Sequence, residues 1–211
     1  MAHPREDARE LPVPEAEPVP QRLLTSATRL FAEQGFETTS VQQVVDAAGV
    51  TKGAMYHYFG SKDDLLYEIY ARVLRVQTAR MESAASAGDP VQHRLHAVAA
   101  DVVATTAANL DDTVIFFRSM HLLHPDKQAE VRAERRRYHE RVRELIEEGQ
   151  RNGVFRADKQ AELVVDFFFG AVHHLGTWFR EDGQLSGEEV GQHFADLLLD
   201  SLRSRREEDG K

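Results

Sequence analysis

Cysteine is absent from all 211 residues, which excludes disulfides, thiolate metal sites and thiol nucleophiles. No apolar run approaches the roughly 18–20 residues that a bilayer span needs, and no apolar segment near the start has the form of a secretory signal. No Gly-rich phosphate loop, Gly-x-Ser-x-Gly elbow or His-Glu-x-x-His helix occurs, so the usual catalytic frames are missing. Alternating β-branched runs and hairpin turn pairs are missing as well, which leaves helix as the repeating element and predicts an all-α fold. Proline is rare after residue 20. Five of the seven, Pro4, Pro12, Pro14, Pro18 and Pro20, lie at the start among Glu6, Asp7, Glu10, Glu15 and Glu17, and residues 1–19 read as a disordered acidic arm. A cytoplasmic protein with no membrane partner is expected.

An apolar content of 42% can fill a core, yet the length allows only a small head and one larger domain. The net charge of −9 is unevenly spread. Residues 1–19 hold two basic and five acidic groups, residues 20–62 four and three, and residues 63–211 twenty and twenty-seven. Residues 20–62 are therefore the one stretch that is not acidic. Any affinity for polyanions must come from placed contacts there, while an acidic body discourages non-specific adhesion.

That stretch is also the richest in signals. Ser40 with Gln43 three residues on is a capping-box pattern, and Val41, Val44, Val45 and Ala48 follow at the spacing of one buried helical face. Gly35, Gly49 and Gly60 punctuate three successive short helices, as residues able to take a left-handed backbone do at helix ends. Three helices in about forty residues suit a helix-turn-helix module. In its last short helix Ala54, Met55, Tyr58 and Phe59 are expected to turn inward, leaving Thr51, Lys52, Gly53, Tyr56 and His57 on the outer face. Hydroxyls and backbone N–H groups at a helix start suit phosphate oxygens, Lys52 can reach a guanine edge or a phosphate, and Gly53 permits close backbone approach. Lys62, in the first turn of the following helix, opposes the local helix dipole, which an external phosphate would explain. Read singly, each of these residues is an ordinary surface or half-buried side chain; their common spacing argues otherwise.

From Leu23-Leu24-Thr25 through Phe31-Ala32-Glu33-Gln34-Gly35-Phe36, Thr39-Ser40-Val41 and Gly49-Val50-Thr51-Lys52-Gly53-Ala54-Met55-Tyr56-His57-Tyr58-Phe59 to Ser61-Lys62-Asp63-Asp64-Leu65, the chain resembles the TetR family of bacterial regulators. The resemblance implies a homodimeric repressor that occupies a double-stranded, palindromic operator and lets go when a small molecule enters the C-terminal domain. It implies phosphate contacts from Thr39, Thr51, Tyr56, His57 and Lys62, with Gln42, Lys52 and Gly53 nearest the bases. On this reading residues 20–64 form the DNA-binding domain and residues 65–211 the effector-binding and dimerisation domain.

Beyond residue 62 the spacing predicts a long linker helix from Ser61 to about Ala85, ended by Gly88-Asp89-Pro90. Further helices are expected over 90–109, about 112–123 up to Pro125, Lys127 to about Gln150, about 158–180, and 187–204. The last two carry a wide apolar load from Leu163, Val164, Phe167, Phe168, Ala171, Val172, Leu175 and Trp178, and from Val190, Phe194, Leu197, Leu198 and Leu202. Gly170 and Gly176 each cost about 1 kcal/mol inside a helix, which close packing of another helix would explain. In the family two such helices pair across a two-fold axis; Phe167, Ala171, Leu175, Trp178, Phe194, Leu197 and Leu198 are the interface candidates.

Trp178-Phe179-Arg180-Glu181-Asp182-Gly183-Gln184-Leu185-Ser186, with Phe155-Arg156 after Gly153, is similar to a TetR branch that answers to acyl-CoA thioesters. A hydrophobic effector of that kind would fill an apolar cavity with a few polar anchors, for which Phe116, Phe117, Met120, His121, Phe168 and His174 are candidates. An alternative reading is a drug-efflux regulator answering to apolar or cationic drugs; a thioester-acting enzyme is the rival from another class, but a lone Asp-His pair such as Asp166 and His173 has no spacing logic for catalysis, and no enzyme is expected. The pairs His93 with His96 and His121 with His124 lie one helical turn apart, but with no carboxylate at ligand spacing they read as solvated or core histidines. No metal and no cofactor is expected.

Overall fold

A computed structural model describes residues 17–204; most of the expected acidic arm lies outside that range. Ten α-helices make up the described chain: α1 (Val19–Gln34), α2 (Val41–Ala48), α3 (Lys52–Tyr58), α4 (Lys62–Ala85), α5 (Val91–Ala108), α6 (Leu110–Ser119), α7 (Pro125–Arg151), α8 (Ala161–His173), α9 (Leu175–Trp178) and α10 (Gly187–Leu202). A 3-10 turn, Met120–Leu122, joins α6 to α7. Among the described residues no strand forms, and the all-α class holds.

The helix ends follow the local chemistry. Ser40 accepts from the Gln43 amide and the Gln43 side chain reaches back, completing the capping box of α2. Gly49 ends α2 in the left-handed region at φ 63°, and Gly35 ends α1 at φ 91°. Gly60 takes no positive φ, so its expected left-handed role is not needed. Pro125 starts α7 rather than only ending α6, because proline lacks the N–H that a first helical turn leaves unpaired anyway. The helix expected over 158–180 is two, α8 and α9, parting at His174. There a Cβ on Gly176 would lie 2.3 Å from Val114 Cγ2, so the glycine fits the chain against α6 and is explained within the subunit.

Two apolar clusters organise the molecule. The first joins the head to the body: Leu23, Phe31, Val44, Met55 and Phe59 continue through Leu65, Ile69 and Tyr70 of α4 to Ile115 and Phe116 of α6. The Tyr70 and Phe116 rings stack at 3.8 Å. The second cluster is the body's own, with Leu95, Val103, Leu145, Phe169, Leu175 and Leu202 at its centre. Here α10 lies against α5 so closely that a Cβ on Gly191 would meet the Ala100 carbonyl oxygen at 2.5 Å.

Polar ties reinforce the head-to-body seam. Asp112, in the first turn of α6 and 4% exposed, accepts from Thr28 of α1 at 2.9 Å and from Arg72 of α4 at 2.6 Å. Asp64 at the start of α4 accepts from Ser61 at 2.8 Å and from Lys127 of α7, which hold its carboxyl below the usual range against the opposing effect of burial. Head, linker helix and body thus share both core and charge pairs.

Candidate nucleic-acid interface and ligand cavity

On the reading helix α3, Met55 is fully buried and Phe59 nearly so, which orients the rest of the helix outward. Thr51 is its N-cap, its hydroxyl oxygen accepting from the Ala54 amide at 3.1 Å while the hydroxyl proton stays free to donate. Gln42 of α2 and Thr51, Lys52, Gly53, Tyr56 and His57 at the start and along α3 are all exposed. A Cβ on Gly53 would touch only Thr51 Oγ1, at 3.7 Å, so the face above it is open. Gln42 is braced by an amide-to-Asp46 hydrogen bond of 2.7 Å. Tyr58, expected to point inward, is 49% exposed and sets its ring edge against His57 at 4.8 Å. Met55 and Phe59, four residues apart, already occupy the buried stripe, and Tyr58 falls beside it.

Thr39 and Lys62 are placed differently from the sequence expectation. Thr39 is 1% exposed; its hydroxyl donates to the Gly35 carbonyl at 2.7 Å and accepts from the Gln34 amide at 3.1 Å. Lys62 Nζ donates to the carbonyls of Phe36 (2.6 Å), Thr39 (2.9 Å) and Glu37 (3.4 Å) and sits 4.3 Å from the Phe36 ring centre. An ammonium has three donors, so these carbonyls match its capacity. Both residues stitch the turn between α1 and α2 instead of facing outward. The local dipole argument for Lys62 therefore has an internal answer: the carbonyls take the place of the external anion.

In the body, a small cavity of about 30 Å³ lies between α4, α5, α6, α7 and α8. Tyr70, Leu74, Phe117, Phe169 and Val172 give it an apolar lining, and Gln77, Thr106, Thr113, Arg135, His139 and His173 add polar groups. Only Phe117 of the six expected effector residues lines it. Phe116 and Phe168 are core, Met120 packs on the head-side cluster, and His121 and His174 are exposed. The one-residue shift from His174 to His173 follows from the helix break, which turns His174 out. Arg135 lies over the Phe117 ring at 4.9 Å and reaches a His173 nitrogen at 3.1 Å. Burial first, then Arg135, lowers His173 to about 3, and the same two causes lower His139 to about 4. Both imidazoles are neutral at pH 7.

Arg135 and His139 also line a groove of about 380 Å³ along α7 and α8, together with Arg132, Arg136, Arg143, Glu140, Glu162 and Asp166. Sequence reasoning passes over this set, taking α7 as a charged helix. The missed signal is that Val131, Arg135, Tyr138, Val142 and Leu145 recur at steps of four and three, which puts one arginine on the buried stripe.

At the far end of the body Leu163, Phe167, Trp178 and Leu197 are exposed by 63, 76, 50 and 67%. Trp178 stacks on Phe194 at 6.2 Å, and Ala171 is partly covered. Leu175 and Leu198, expected on the same face, are buried in the subunit's own core, because they point toward the body cluster. Nothing stands within 4 Å of a Cβ on Gly170. Among the described residues no group of three or more His, Asp or Glu is placed to hold a metal, and no helix is long and apolar enough to cross a membrane. His96 and His124 meet Asp196 and Asp126 instead, at 3.1 and 3.4 Å.

A capped helix pair with an open polar face, joined by a long helix to a helical body, is the architecture of a helix-turn-helix DNA-binding protein. Comparison with known proteins agrees: residues 23–69 match the model of the bacterial regulatory proteins of the tetR family, and residues 88–202 match the tetracyclin repressor-like C-terminal domain. The chain belongs to the TetR family of transcriptional regulators; it is a DNA-binding regulator and not an enzyme. It is similar to the transcriptional repressor KstR2 of Rhodococcus jostii, 26% identical over 86% of this chain and 90% of the relative. Among solved structures, the regulator PfmR from Thermus thermophilus is 32% identical, with a TM-score of 0.78 over 85% of this chain and 97% of that one. AibR, solved in complex with isovaleryl coenzyme A and operator DNA, shares the fold at a TM-score of 0.73 and 22% identity, over 88% of this chain and 98% of that one.

Proposed function

We propose that the protein is a homodimeric repressor that an acyl-CoA thioester releases from its operator. The carrying observation is that Arg135 and His139 line both the largely apolar inner cavity and the outer groove, where four arginines stand among three carboxylates, and we read the two as one path for a ligand with an apolar and an anionic end. Acyl-CoA has that shape and charge: an acyl chain for Phe117, Phe169 and Leu74, and phosphates for Arg132, Arg136 and Arg143. The AibR complex has the same fold accepting such a ligand in another protein.

Release would pass through α4. Tyr70, Leu74 and Gln77 on α4 line the cavity, and Lys62, about 12 Å back along the helix axis, ties α4 to the turn before α2. A ligand that enlarges a 30 Å³ cavity must push these α4 residues, and the shared core carries the push to the head. It can do so only through its differential affinity for the released and DNA-competent forms. On DNA, Thr51, Tyr56 and His57 hold phosphate and Gln42, Lys52 and Gly53 face the bases. Leu163, Phe167, Trp178 and Leu197 cover the same face of a second copy, which also gives Gly170 its packing partner.

The test is fluorescence anisotropy on the duplex upstream of the protein's own gene, titrated with decanoyl-CoA. The thioester should release the wild type, and Arg132→Glu with Arg136→Glu should raise the required concentration by about tenfold or more, as for lost charge-assisted contacts. An unchanged response in the double variant overturns the groove assignment; no release of the wild type overturns the effector class.

A further inference from the structure

Arg135 is the one charged side chain lining the inner cavity, and among the described residues it forms no carboxylate ion pair. Its neighbours there are the Phe117 ring and the His173 imidazole. A guanidinium only donates hydrogen bonds, so the imidazole nitrogen 3.1 Å away must be accepting, which keeps His173 neutral. A neutral ring is a weak substitute for a counter-ion beside a partly buried cation, and the carboxylates of Glu140, Glu162 and Asp166 that share its groove stand beyond ion-pair distance. By contrast, Arg72, Arg80, Arg94, Arg141 and Arg156 each meet a carboxylate directly.

Position adds to the argument. Val131, Tyr138, Val142 and Leu145, on the same stripe of α7, are buried and apolar. An arginine in that row loses packing and hydration unless something outside the chain supplies the missing charge. Arg135 also lines both the inner cavity and the outer groove, so it stands at the throat between them.

We infer that Arg135 is an oxyanion anchor, selecting effectors that carry a carboxylate or phosphate oxygen at the end of an apolar chain. The inference rests on the ligand-released reading and narrows it: apolarity alone does not suffice, and a neutral or cationic compound of the same shape is a poor effector. The oxyanion can come from a free acid or from the phosphates of a CoA thioester, which meet Arg135 from the cavity and the groove sides respectively.

Binding should draw a proton into the site. When the guanidinium turns to the anion, His173 loses its donor and gains a negative neighbour, both of which favour the imidazolium. His139, whose ring lies 6.2 Å from that of His173, feels Arg135 only through its charge, which the anion would offset, and Asp166 of α8 already acts to raise it. On the groove side His139 also meets Arg132, Arg136 and Arg143, which oppose its protonation, and Glu140 and Glu162, which favour it; in the cavity lining the phenols of Tyr70 on α4 and Tyr138 on α7 are pushed up by burial and so neutral, and α5 and α6 offer only Val102, Thr106, Thr113 and Phe117.

The experiment compares decanoate, decanoyl-CoA and decanol by calorimetry on the full-length protein at pH 6, each in two buffers of different ionisation enthalpy. Decanoate and decanoyl-CoA should bind about 10–100-fold more tightly than decanol, the range expected for a charge-assisted contact, and should take up protons. Arg135→Gln should bring acid and alcohol to equal affinity on the same variant and remove the uptake, with circular dichroism reporting its fold; Arg135→Lys should keep part of the preference. Equal affinity for acid and alcohol in the wild type, or a preference that survives Arg135→Gln, overturns the anchor. Operator release by decanoyl-CoA with no dependence on Arg135 would overturn it while leaving the proposed function in place. Tight decanoate with weak decanoyl-CoA would keep the anchor and assign it to a free acid.

Discussion

Replacing Lys62 by methionine keeps the aliphatic stem over Phe36 and removes the ammonium that holds the carbonyls of Phe36 and Thr39 at 2.6 and 2.9 Å. A net hydrogen bond to a charged group contributes about 1.5–3 kcal/mol. The site is partly exposed, so water can reach the vacated carbonyls, and a total of about 2–4 kcal/mol is the reasonable range for the two together. Burial also lowers the Lys62 pKa, so the methionine regains some desolvation cost and the lower half of that range is favoured. For a chain of this size that amounts to a fall in Tm of about 4–10 °C. The assay is thermal denaturation by circular dichroism, paired with operator affinity across a salt series. Lys62→Met should lower Tm and weaken every duplex alike, while the slope of log affinity against log salt stays as in the wild type. Lys52→Met, in contrast, should leave Tm nearly unchanged and alter sequence preference or the salt slope. An unchanged Tm for Lys62→Met, with a slope reduced by about one phosphate, would refute the internal role and restore the phosphate clamp.

Further predictions follow from the seam, the apolar face and the histidines. Asp112→Asn should cost about 1–3 kcal/mol in denaturant unfolding, because Arg72 loses its buried acceptor, and adding Arg72→Met should recover part of the loss. Phe167→Asp should convert the protein to monomer in light scattering and weaken operator binding by about tenfold or more, since one head alone offers half the contacts. Gly176→Leu should destabilise by about 1–3 kcal/mol through overlap with Val114, as seen in thermal melts. Acidification should destabilise the fold: the native pKa values of His139 and His173, about 4 and about 3, lie below the unfolded 6.5. The unfolded chain therefore binds more protons between about pH 6.5 and 4, and stability should fall by about 1.4 kcal/mol per pH unit for each histidine titrating there. His139→Phe with His173→Phe should flatten that part of the urea-midpoint profile.

The helix ends of the head are legible in the sequence because their signals are local. Capping at Ser40, the left-handed turn at Gly49 and the spacing of Met55 and Phe59 act within four residues of themselves. The exposed set on α2 and α3 follows from the same periodicity. Thr39 and Lys62 escape that reading because their partners, Gly35, Gln34 and Phe36, are set by how the turn after α1 closes, which no short-range pattern records. In the body, helix positions are readable but facing is not. His173 and His174 are neighbours; His173 shares the cavity-facing row of Phe169 and Val172 on α8, and α8 ends before His174. Leu175 and Leu198 look like interface leucines in sequence and are core in the fold, a distinction made by α5 and α6 packing from elsewhere in the chain. Arg135 is the recoverable miss, since a charge on an otherwise apolar stripe of α7 is visible in the sequence.

Hydroxyl-radical footprinting of the region upstream of the protein's own gene, with and without decanoyl-CoA, tests the dimeric, effector-released repressor most directly. The account predicts two equal protected patches related by a dyad, with centres separated by one or more turns of duplex, about 34–36 Å each, and loss of both together on adding the thioester. A single patch, or protection that persists at saturating thioester, would contradict it.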